Sequence, residues 1–456
     1  MTSDNVALTL GLLMTCATIA MLTSKRGIGL PATLHNGVWA IALLIIGSGL
    51  MNYDPLSWYA WSLIATSLIA FNLGILLIGE RTSPQPASGT RPLVTLGQFW
   101  LLIGAFSVGV LIYLRTIAQN YGLATIISDP TSIREYSAVG YLEAFPLYGK
   151  VLFYFGPLCF VLAIFPELVT GLRGAWYRLP LLVFVSGAQV LTLQRTNIFV
   201  CIAWVGGVLV LRLIQRGANG KQSVSARRLM GLVGALVLAF AIFQGLAVAL
   251  GKTGNTNTAI DSVVDPRIRG SQYTSVLHYA SSGVPAFGAL TESKDRSWPP
   301  VGGTGLIIGD YNPQTWGRAT FVGPLKLVPG ITHWEEVSPF TFLPVPTNVY
   351  TWLEPWYRDF RMPGVVLGSL LAGLIIGLAV RHRHASPEAL LLAGLLLGFS
   401  GLATFINRYM AVMSVVLYLL LAFLGRARRS REMRESVRSS ATRRRTSRSG
   451  RLTRPL

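Results

Sequence analysis

The sequence predicts an all-α polytopic membrane protein with about eleven transmembrane helices and one large extracytoplasmic loop. Of its residues 52% are hydrophobic and only 13% are charged, and the mean hydropathy is +0.51. Its apolar runs are about 20 residues long, whereas a membrane barrel would show alternating segments of about ten. Because lipid offers no hydrogen bonds to the backbone, spans of this length are expected to be helices.

The predicted spans follow the apolar runs in order. They cover residues 6–22, 37–51, 58–78, 93–114, 147–168, 179–193, 198–213, 229–250, 362–380, 389–405 and 409–423. The chain is thereby divided into spans one to eight at 1–250, with an outer loop near 115–147, and a large extracytoplasmic loop at 251–360. Spans nine to eleven follow at 361–425, and a tail occupies 426–456.

Basic residues predict the orientation, because short cytoplasmic connections keep an excess of lysine and arginine. Lys25 and Arg26 follow the first span, and the opposite short connections hold almost no basic residues. The connections on the side of Lys25 also hold Arg81, Arg91, Arg173, Arg178, Arg212, Arg216, Lys221, Arg227, Arg228, His35, Arg381, His382, Arg383 and His384. The amino terminus is therefore expected outside and the carboxyl tail in the cytoplasm. Asp4 precedes the first apolar run, which favours a retained span over a cleaved signal peptide.

The tail carries half of the net charge of +20. It holds 12 arginines between Arg426 and Arg454 against Glu432 and Glu435, a net charge of +10. A Ser/Arg-rich segment without apolar periodicity is typical of disorder, and membrane lipids of the anionic inner leaflet would attract it. No recognition fold accompanies the charge, so no nucleic-acid partner is expected.

Cysteines, histidines and glycine-rich motifs predict no cofactor. Cys16, Cys159 and Cys201 all lie in predicted spans, without the spacing of metal ligands. The chain has no G-x-x-x-x-G-K-[ST] loop for nucleotide phosphates. The sequence therefore indicates a site without a metal ion or nucleotide.

Small residues in the late spans predict close helix packing. Two series have nearly helical spacing, and they consist of Gly364, Gly368, Gly373 and Gly377 and of Gly394 and Gly398. The predicted spans lack the scattered acids and lysines of an ion pathway, which argues against an ion-coupled transporter.

Arginines on the predicted outer side are the leading candidates for binding an anion. Arg195 lies in the hairpin between the sixth and seventh spans, Arg408 lies between the tenth and eleventh, and Arg134 lies in the earlier outer loop. Guanidinium groups bind phosphate oxygens through paired hydrogen bonds. The alternative is an interfacial arginine that only reaches lipid headgroups.

The large loop is aromatic and balanced in charge. It holds five of the chain's 11 tryptophans, with eight basic and nine acidic residues. Aromatic faces suit the C–H faces of sugar rings, although an interfacial aromatic belt is the alternative. The spacing of Tyr273, Val276, Leu277 and Ala280 predicts a short amphipathic helix lying on the membrane.

Three stretches of the loop and its flank resemble a known family. These are residues 279–290 (YASSGVPAFGAL), 316–328 (WGRATFVGPLKLV) and 346–364 (PTNVYTWLEPWYRDFRMPG). They resemble Wzy-type O-antigen or oligosaccharide repeat-unit polymerases, and the resemblance extends over about residues 95–410. Its most specific part is Asn348 to Thr351 with Asp359. Where relatives commonly show D-F-G-x-x-G, this chain has arginine at position 361 in place of the first glycine.

The resemblance implies a metal-independent glycosyltransferase of GT-C-like architecture in the bacterial cytoplasmic membrane. It would polymerise undecaprenyl-diphosphate-linked repeat units into an O-antigen, capsule or exopolysaccharide, with a polysaccharide chain-length regulator as partner. An O-antigen ligase that transfers glycan to a lipid A core, and a polysaccharide or lipid transporter, are the alternatives.

The candidate residues divide into two groups by their expected chemistry. Arg195 is expected to anchor the diphosphate, with Arg134 and Arg408 in lesser roles. Asp359 is the first candidate for the general base, and a structural cap or an ion pair with Arg358 is its alternative role. A second acidic and histidine cluster consists of His333, Glu335 and Glu336, with a solvated charge run as the alternative. Asn348 and Tyr350 are expected to bind sugar hydroxyls or to hydrogen-bond the loop to itself.

Overall fold

Helices packed side by side form the structure, which is a computed structural model. It describes residues 2–23, 29–79, 92–122, 145–191, 195–218, 258–271, 273–292, 314–331, 341–343 and 345–449, with 124, 128 and 338. In this part of the chain, six helical segments are long and apolar enough to cross a membrane, and three shorter apolar helices accompany them. A polytopic, all-helical membrane protein is thereby confirmed, and the total of about eleven spans stays a prediction.

The helices follow one another in an order close to that of the predicted spans. They are α1 Ser3–Thr23, α2 Gly29–Gly47, α3 Trp58–Ile78, α4 Leu96–Tyr121, α5 Leu147–Phe153, α6 Gly156–Ile164, α7 Arg178–Leu191 and α8 Arg195–Ala218. After them come α9 Thr258–Asp261, α10 Thr274–Ser281, α11 Gly283–Glu292, α12 Val322–Lys326, α13 Glu354–Arg381, α14 Pro387–Ser400 and α15 Val412–Ser449. Two short antiparallel strands, β1 Thr341–Phe342 and β2 Pro346–Thr347, precede α13. The predicted span 229–250 lies outside the described residues.

One end of the bundle joins the amino terminus to the large loop, and we name it the loop end. There Ser3 accepts a hydrogen bond from the Leu56 amide at 3.1 Å. Glu292, the last residue of α11, accepts one from the Ser57 amide at 2.7 Å. The start of α1, the start of α3 and the end of α11 therefore lie together.

The opposite end collects the basic connections, and we name it the tail end. Arg381 donates to the Ile78 carbonyl at 3.0 Å, and Arg428 forms an ion pair with Glu388 at 3.1 Å. Further arginines bound to carbonyls or carboxylates at this end are Arg178, Arg212 and Arg431. Connections that the charge pattern assigned to one side thus lie at one end of the bundle. Which end faces the cytoplasm stays a prediction.

Glycines set the close helix contacts that their spacing predicted. A Cβ atom on Gly373 of α13 would lie 2.2 Å from the carbonyl oxygen of Phe71 in α3. A Cβ atom on Gly207 of α8 would lie 2.1 Å from the carbonyl oxygen of Gly394 in α14. Only glycine allows the backbones to approach this closely.

Two predicted spans differ from the observed helices. Helix α2 begins at Gly29, earlier than predicted, so His35 lies inside the bundle and not in a cytoplasmic connection. The fifth span is divided into α5 and α6 at Tyr154 and Phe155. Pro157 lies in the first turn of α6, where its missing N–H costs no helical hydrogen bond.

The tail differs from its prediction as a disordered segment. Helix α15 continues from Val412 to Ser449 without a break. Arg428 binds Glu432 one turn later and Glu388 on α14, and Ala427 and Met433 are also good helix formers. These local pairs and propensities extend the helix beyond its apolar part.

Part of the large loop enters the bundle, and its extracytoplasmic location stays a prediction. The Trp352 ring lies 5.3 Å from the ring of Phe71 and 4.6 Å from the ring of His35. Phe71 is about 20 Å along α3 from its first residue at the loop end. We name residues 345–361 the re-entrant segment. Irregular backbone at such depth occurs only where protein or a polar cavity surrounds it.

The re-entrant segment returns to the loop end as the first turns of α13, and the chain then reverses at Arg361. Arg361 has φ 54° and ψ −140°, a conformation that favours glycine. Trp356 packs against the rest of α13. The approach is so close that a Cβ atom on Gly364 would lie 2.3 Å from the Trp356 carbonyl oxygen. A Cβ atom on Gly368 would lie 2.4 Å from the Trp356 ring. Residues 354–360 and 362–381 therefore form a tight hairpin.

Gly364→Ala is expected to destabilise this hairpin. The added methyl group would overlap the Trp356 carbonyl, and overpacking costs about 1–3 kcal/mol. Thermal unfolding of the purified protein in detergent should show a lower midpoint. Gly104→Ala in α4 is the matched control, since no atom lies within 4 Å of its Cβ position. Equal midpoints for the two variants would contradict the close contact.

Candidate functional site

The first turns of α13 place ionisable side chains inside the bundle. Glu354 and Arg358 are one helical turn apart, and Arg358 has no exposed surface. Ionisable groups within a membrane protein bundle are costly to bury and usually mark a functional site. The re-entrant segment is therefore a candidate for such a site.

Glu354 and Arg358 form a buried ion pair with further polar partners. Arg358 Nε donates to Glu354 Oε1 at 2.7 Å, and Ser338 donates to the other oxygen of Glu354 at 2.5 Å. The Arg358 guanidinium also lies over the Tyr350 ring, 5.7 Å from its centre. Tyr350 is thus buried against Arg358, and Asn348 lies half-buried two residues before it.

Asp359 is surrounded by hydrogen-bond donors and has no exposed surface. It accepts hydrogen bonds from the Thr320 amide at 2.6 Å, the Ala319 amide at 3.2 Å and the Thr315 hydroxyl. The preceding carbonyl, that of Arg358, accepts the Thr315 amide at 3.2 Å. This geometry favours the structural alternative for Asp359, a cap that holds the turn 314–321 against α13. Its ion-pair alternative is not formed, because Arg358 binds Glu354.

Asp359→Asn is expected to lower stability without a specific loss of chemistry. The new NH2 group would face backbone N–H donors, and each buried group left without a partner costs about 1–3 kcal/mol. The thermal midpoint should fall, while the pH profile of any remaining activity stays unchanged. Asp4→Asn, at an exposed position, is the control. An inactive variant with an unchanged midpoint would instead indicate a catalytic Asp359.

A small polar pocket lies beside the ion pair. Its volume is about 40 Å³, and Glu354, Ser338, Asn407 and Arg408 line it with Thr320 and Met410. Space of this size holds a few waters or one small charged group. Asn407 orients the pocket wall by donating to the Trp352 carbonyl at 2.8 Å. The structure thus brings Arg408 next to the re-entrant segment.

A long apolar groove begins at the polar pocket. It has a volume of about 940 Å³ and lies between α13, α14 and α15. Thr320 and Met410 line both the polar pocket and this apolar groove. The groove walls in its middle part include Leu367, Leu371, Ile375, Leu392, Leu396 and Leu421. A polar cavity that continues into a long apolar one suits an amphiphilic ligand.

Arg195 begins α8 at the loop end, and its side chain lies outside the described residues. One turn further, the Phe199 ring lies 6.2 Å from the ring of Phe405. Phe405 belongs to the segment 401–411, which also carries Arg408. The structure therefore brings the start of α8 next to the segment that lines the polar pocket. Arg134, His333, Glu335 and Glu336 lie outside the described residues.

A second polar cluster lies on α10 nearer the loop end. The predicted helix is present, but Thr274, Ser275, His278 and Ser281 on its polar face are buried. This orientation differs from the predicted helix lying on the membrane. The Tyr53 hydroxyl lies 3.1 Å from His278 Nδ1 and 3.1 Å from Ser281 Oγ. Burial raises the pKa of Tyr53, so its hydroxyl remains protonated and can donate.

At the loop end, Arg267 and Asp265 form an exposed ion pair. Arg267 is 79% exposed and donates to both carboxylate oxygens of Asp265. These hydrogen bonds lower the pKa of Asp265 to about 2. Such an exposed pair contributes little to stability.

Glu354 and Ser338 were missed by the sequence analysis. The only available signal was the spacing of Glu354 and Arg358, which suits an ion pair on a helix. Within the described ranges, no three His, Cys, Asp or Glu side chains are grouped to hold a metal ion. No protein-family profile, curated protein or solved structure matches the chain.

Proposed function

We propose that this protein is a metal-independent glycosyltransferase of GT-C-like architecture that polymerises lipid-linked oligosaccharide repeat units. The donor is the growing glycan on undecaprenyl diphosphate. The acceptor is the terminal sugar hydroxyl of a new lipid-linked unit. In this proposal the loop end faces outward from a bacterial cytoplasmic membrane.

The observation that carries the proposal is the junction of the polar pocket with the apolar groove. A lipid-linked diphosphate has an anionic head and a hydrocarbon chain, and it needs both environments at one point. Arg408 supplies positive charge in the pocket, whereas the groove supplies apolar walls. The resemblance of residues 279–290, 316–328 and 346–364 to repeat-unit polymerases supports the same substrate class.

The residue roles follow from the chemistry of glycosyl transfer. The acceptor oxygen forms a bond to the anomeric carbon, and the bond from that carbon to the diphosphate oxygen breaks. The diphosphate leaves with the electron pair, and arginines held in position stabilise its charge. We assign this role to Arg408 and Arg195, with Arg134 as a further candidate.

The acceptor hydroxyl must lose a proton in the same step. Glu354 is the carboxylate that lines the polar pocket, and we assign it the orientation of this hydroxyl or the acceptance of its proton. Glu336 and His333 are the other candidates for the base. Asn348 is assigned to sugar hydroxyls.

Deletion of the chain in a host that depends on it, followed by gel analysis of surface glycan, tests the proposal. A polymerase predicts that long chains are lost while a single-repeat product remains, and that the restored gene restores the ladder. Loss of all attached glycan would indicate a ligase. An unchanged ladder would contradict both activities.

A further inference from the structure

We propose that the apolar groove binds one extended polyisoprenoid chain over the whole hydrocarbon thickness, and that it thereby selects substrates by chain length. This inference rests on the proposed function, since it concerns the lipid part of the same substrate. Its evidence is the length of the groove, the polar groups at its two ends and the small side chains between them.

The groove extends from the polar pocket to the tail end of the bundle. Its lining on α13 extends from Phe360 to Ile376, and the lining before and along α15 extends over twenty residues, from Met410 to Arg429. Twenty helical residues rise by about 30 Å, which is the thickness of the bilayer hydrocarbon. A phospholipid acyl chain covers one leaflet and would fill only about half of this length.

The loop end of the groove fits an anionic head group. Thr320 and Met410 connect it to the polar pocket, where Arg408 provides positive charge. A chain attached to a phosphate there would extend from the loop end toward the tail end. Charge complementarity therefore defines the direction in which the chain enters.

Polar side chains close the tail end of the groove. Glu388 and Arg429 line it there, and Glu388 accepts hydrogen bonds from Arg428 at 3.1 Å and 3.2 Å. A hydrocarbon chain longer than the groove leaves it for the bilayer where these charged groups begin, because burying them against the chain would remove their solvation. The groove thus has a fixed length between the head-group site and this ion pair.

The small side chain of Ala422 leaves the groove wide near its tail end. Ala422 of α15 lines the groove and is exposed. It lies three residues before Gly425, which contacts Glu388. Leu419, on the same helix, is 61% exposed and does not line the groove. A large side chain at position 422 would therefore fill the groove near its tail end without changing the polar pocket, whereas one at position 419 would not enter the groove.

The test compares binding of undecaprenyl phosphate and farnesyl phosphate to the full chain in nanodiscs of defined phospholipid. Both probes have the same head group and differ only in hydrocarbon length. Both probes already have their chains in bilayer hydrocarbon, so the preference rests on van der Waals contacts of the longer chain with the groove walls. The wild-type protein should retain the long probe at least about tenfold more tightly. Native mass spectrometry measures bound lipid, and the Ala422→Trp and Leu419→Trp variants are compared with the wild type.

Ala422→Trp should reduce the preference for the long probe to near unity and leave the affinity for farnesyl phosphate unchanged. Leu419→Trp should keep the wild-type preference. The inference would be overturned if the wild-type protein bound both probes equally, or if it retained phospholipid and neither probe. It would also be overturned if the two variants showed the same preference for the long probe. Because binding is measured without glycan transfer, length selectivity with an unchanged glycan ladder would refute only the proposed function.

Discussion

Replacing Arg358 with methionine is expected to cost about 3–5 kcal/mol of folding free energy, because it leaves the Glu354 carboxylate buried without its guanidinium partner. Arg358 has no exposed side-chain surface and Glu354 is only 9% exposed. Solvent therefore cannot replace the lost ion pair. Thermal unfolding of the purified variant should show a large drop in midpoint and a low yield of folded protein.

A double replacement separates stability from function. Glu354→Met combined with Arg358→Met removes both charges, and such exchanges in buried sites are often neutral or stabilising. The double variant should regain most of the thermal midpoint but produce no long glycan chains, since Glu354 lines the polar pocket. A double variant with normal glycan chains would exclude any chemical role for the pair.

Arg408→Ala is expected to abolish long glycan chains while the protein stays folded. Removing one positioned group that stabilises transition-state charge commonly lowers the rate by about 10²–10³. The Ser414 hydroxyl donates to the Arg408 carbonyl, and this contact does not depend on the Arg408 side chain. Arg408→Lys should retain part of the activity, because lysine keeps the charge but loses the paired hydrogen bonds to phosphate.

Arg267→Ala provides the matched control for Arg408. Arg267 also lies at the loop end, but its side chain is 79% exposed and binds only Asp265 among the described residues. Its removal should leave the glycan ladder unchanged. A similar loss in both variants would show a general effect of positive charge at this surface and contradict a specific role for Arg408. Arg195→Ala is expected to resemble Arg408→Ala in the same gel analysis.

Much of the fold followed from local sequence properties. Helix α3 has the predicted bounds of 58–78, because its apolar run is continuous and Ser57 caps its first turn by accepting the Ala60 amide. The glycine spacing in α13 and α14 also predicted close helix packing. These features depend on residues that are neighbours in the chain, so the sequence alone reveals them.

The candidate site followed from the sequence only in part. Residues 346–364 and Arg408 were predicted to belong to the site. Asp359 was the first candidate for the general base, whereas the polar pocket lies beside Glu354. Both carboxylates are on the same short helical stretch, and no local pattern distinguishes them. Their difference arises because the turn 314–321 covers Asp359 with donors while segment 401–411 leaves a pocket beside Glu354.

The sequence by itself determined that the protein is a helical membrane protein with several spans. It also determined that the basic connections lie together on one side and that glycines allow close helix packing. Hydropathy, charge and spacing are local, and the bilayer acts on them directly. Only the tertiary structure decided that a polar, aromatic segment of the loop enters the bundle, and that a groove leads from it toward the opposite end. Both features depend on contacts between residues that are far apart in the chain, such as Trp352 with Phe71. No local sequence pattern predicts such contacts.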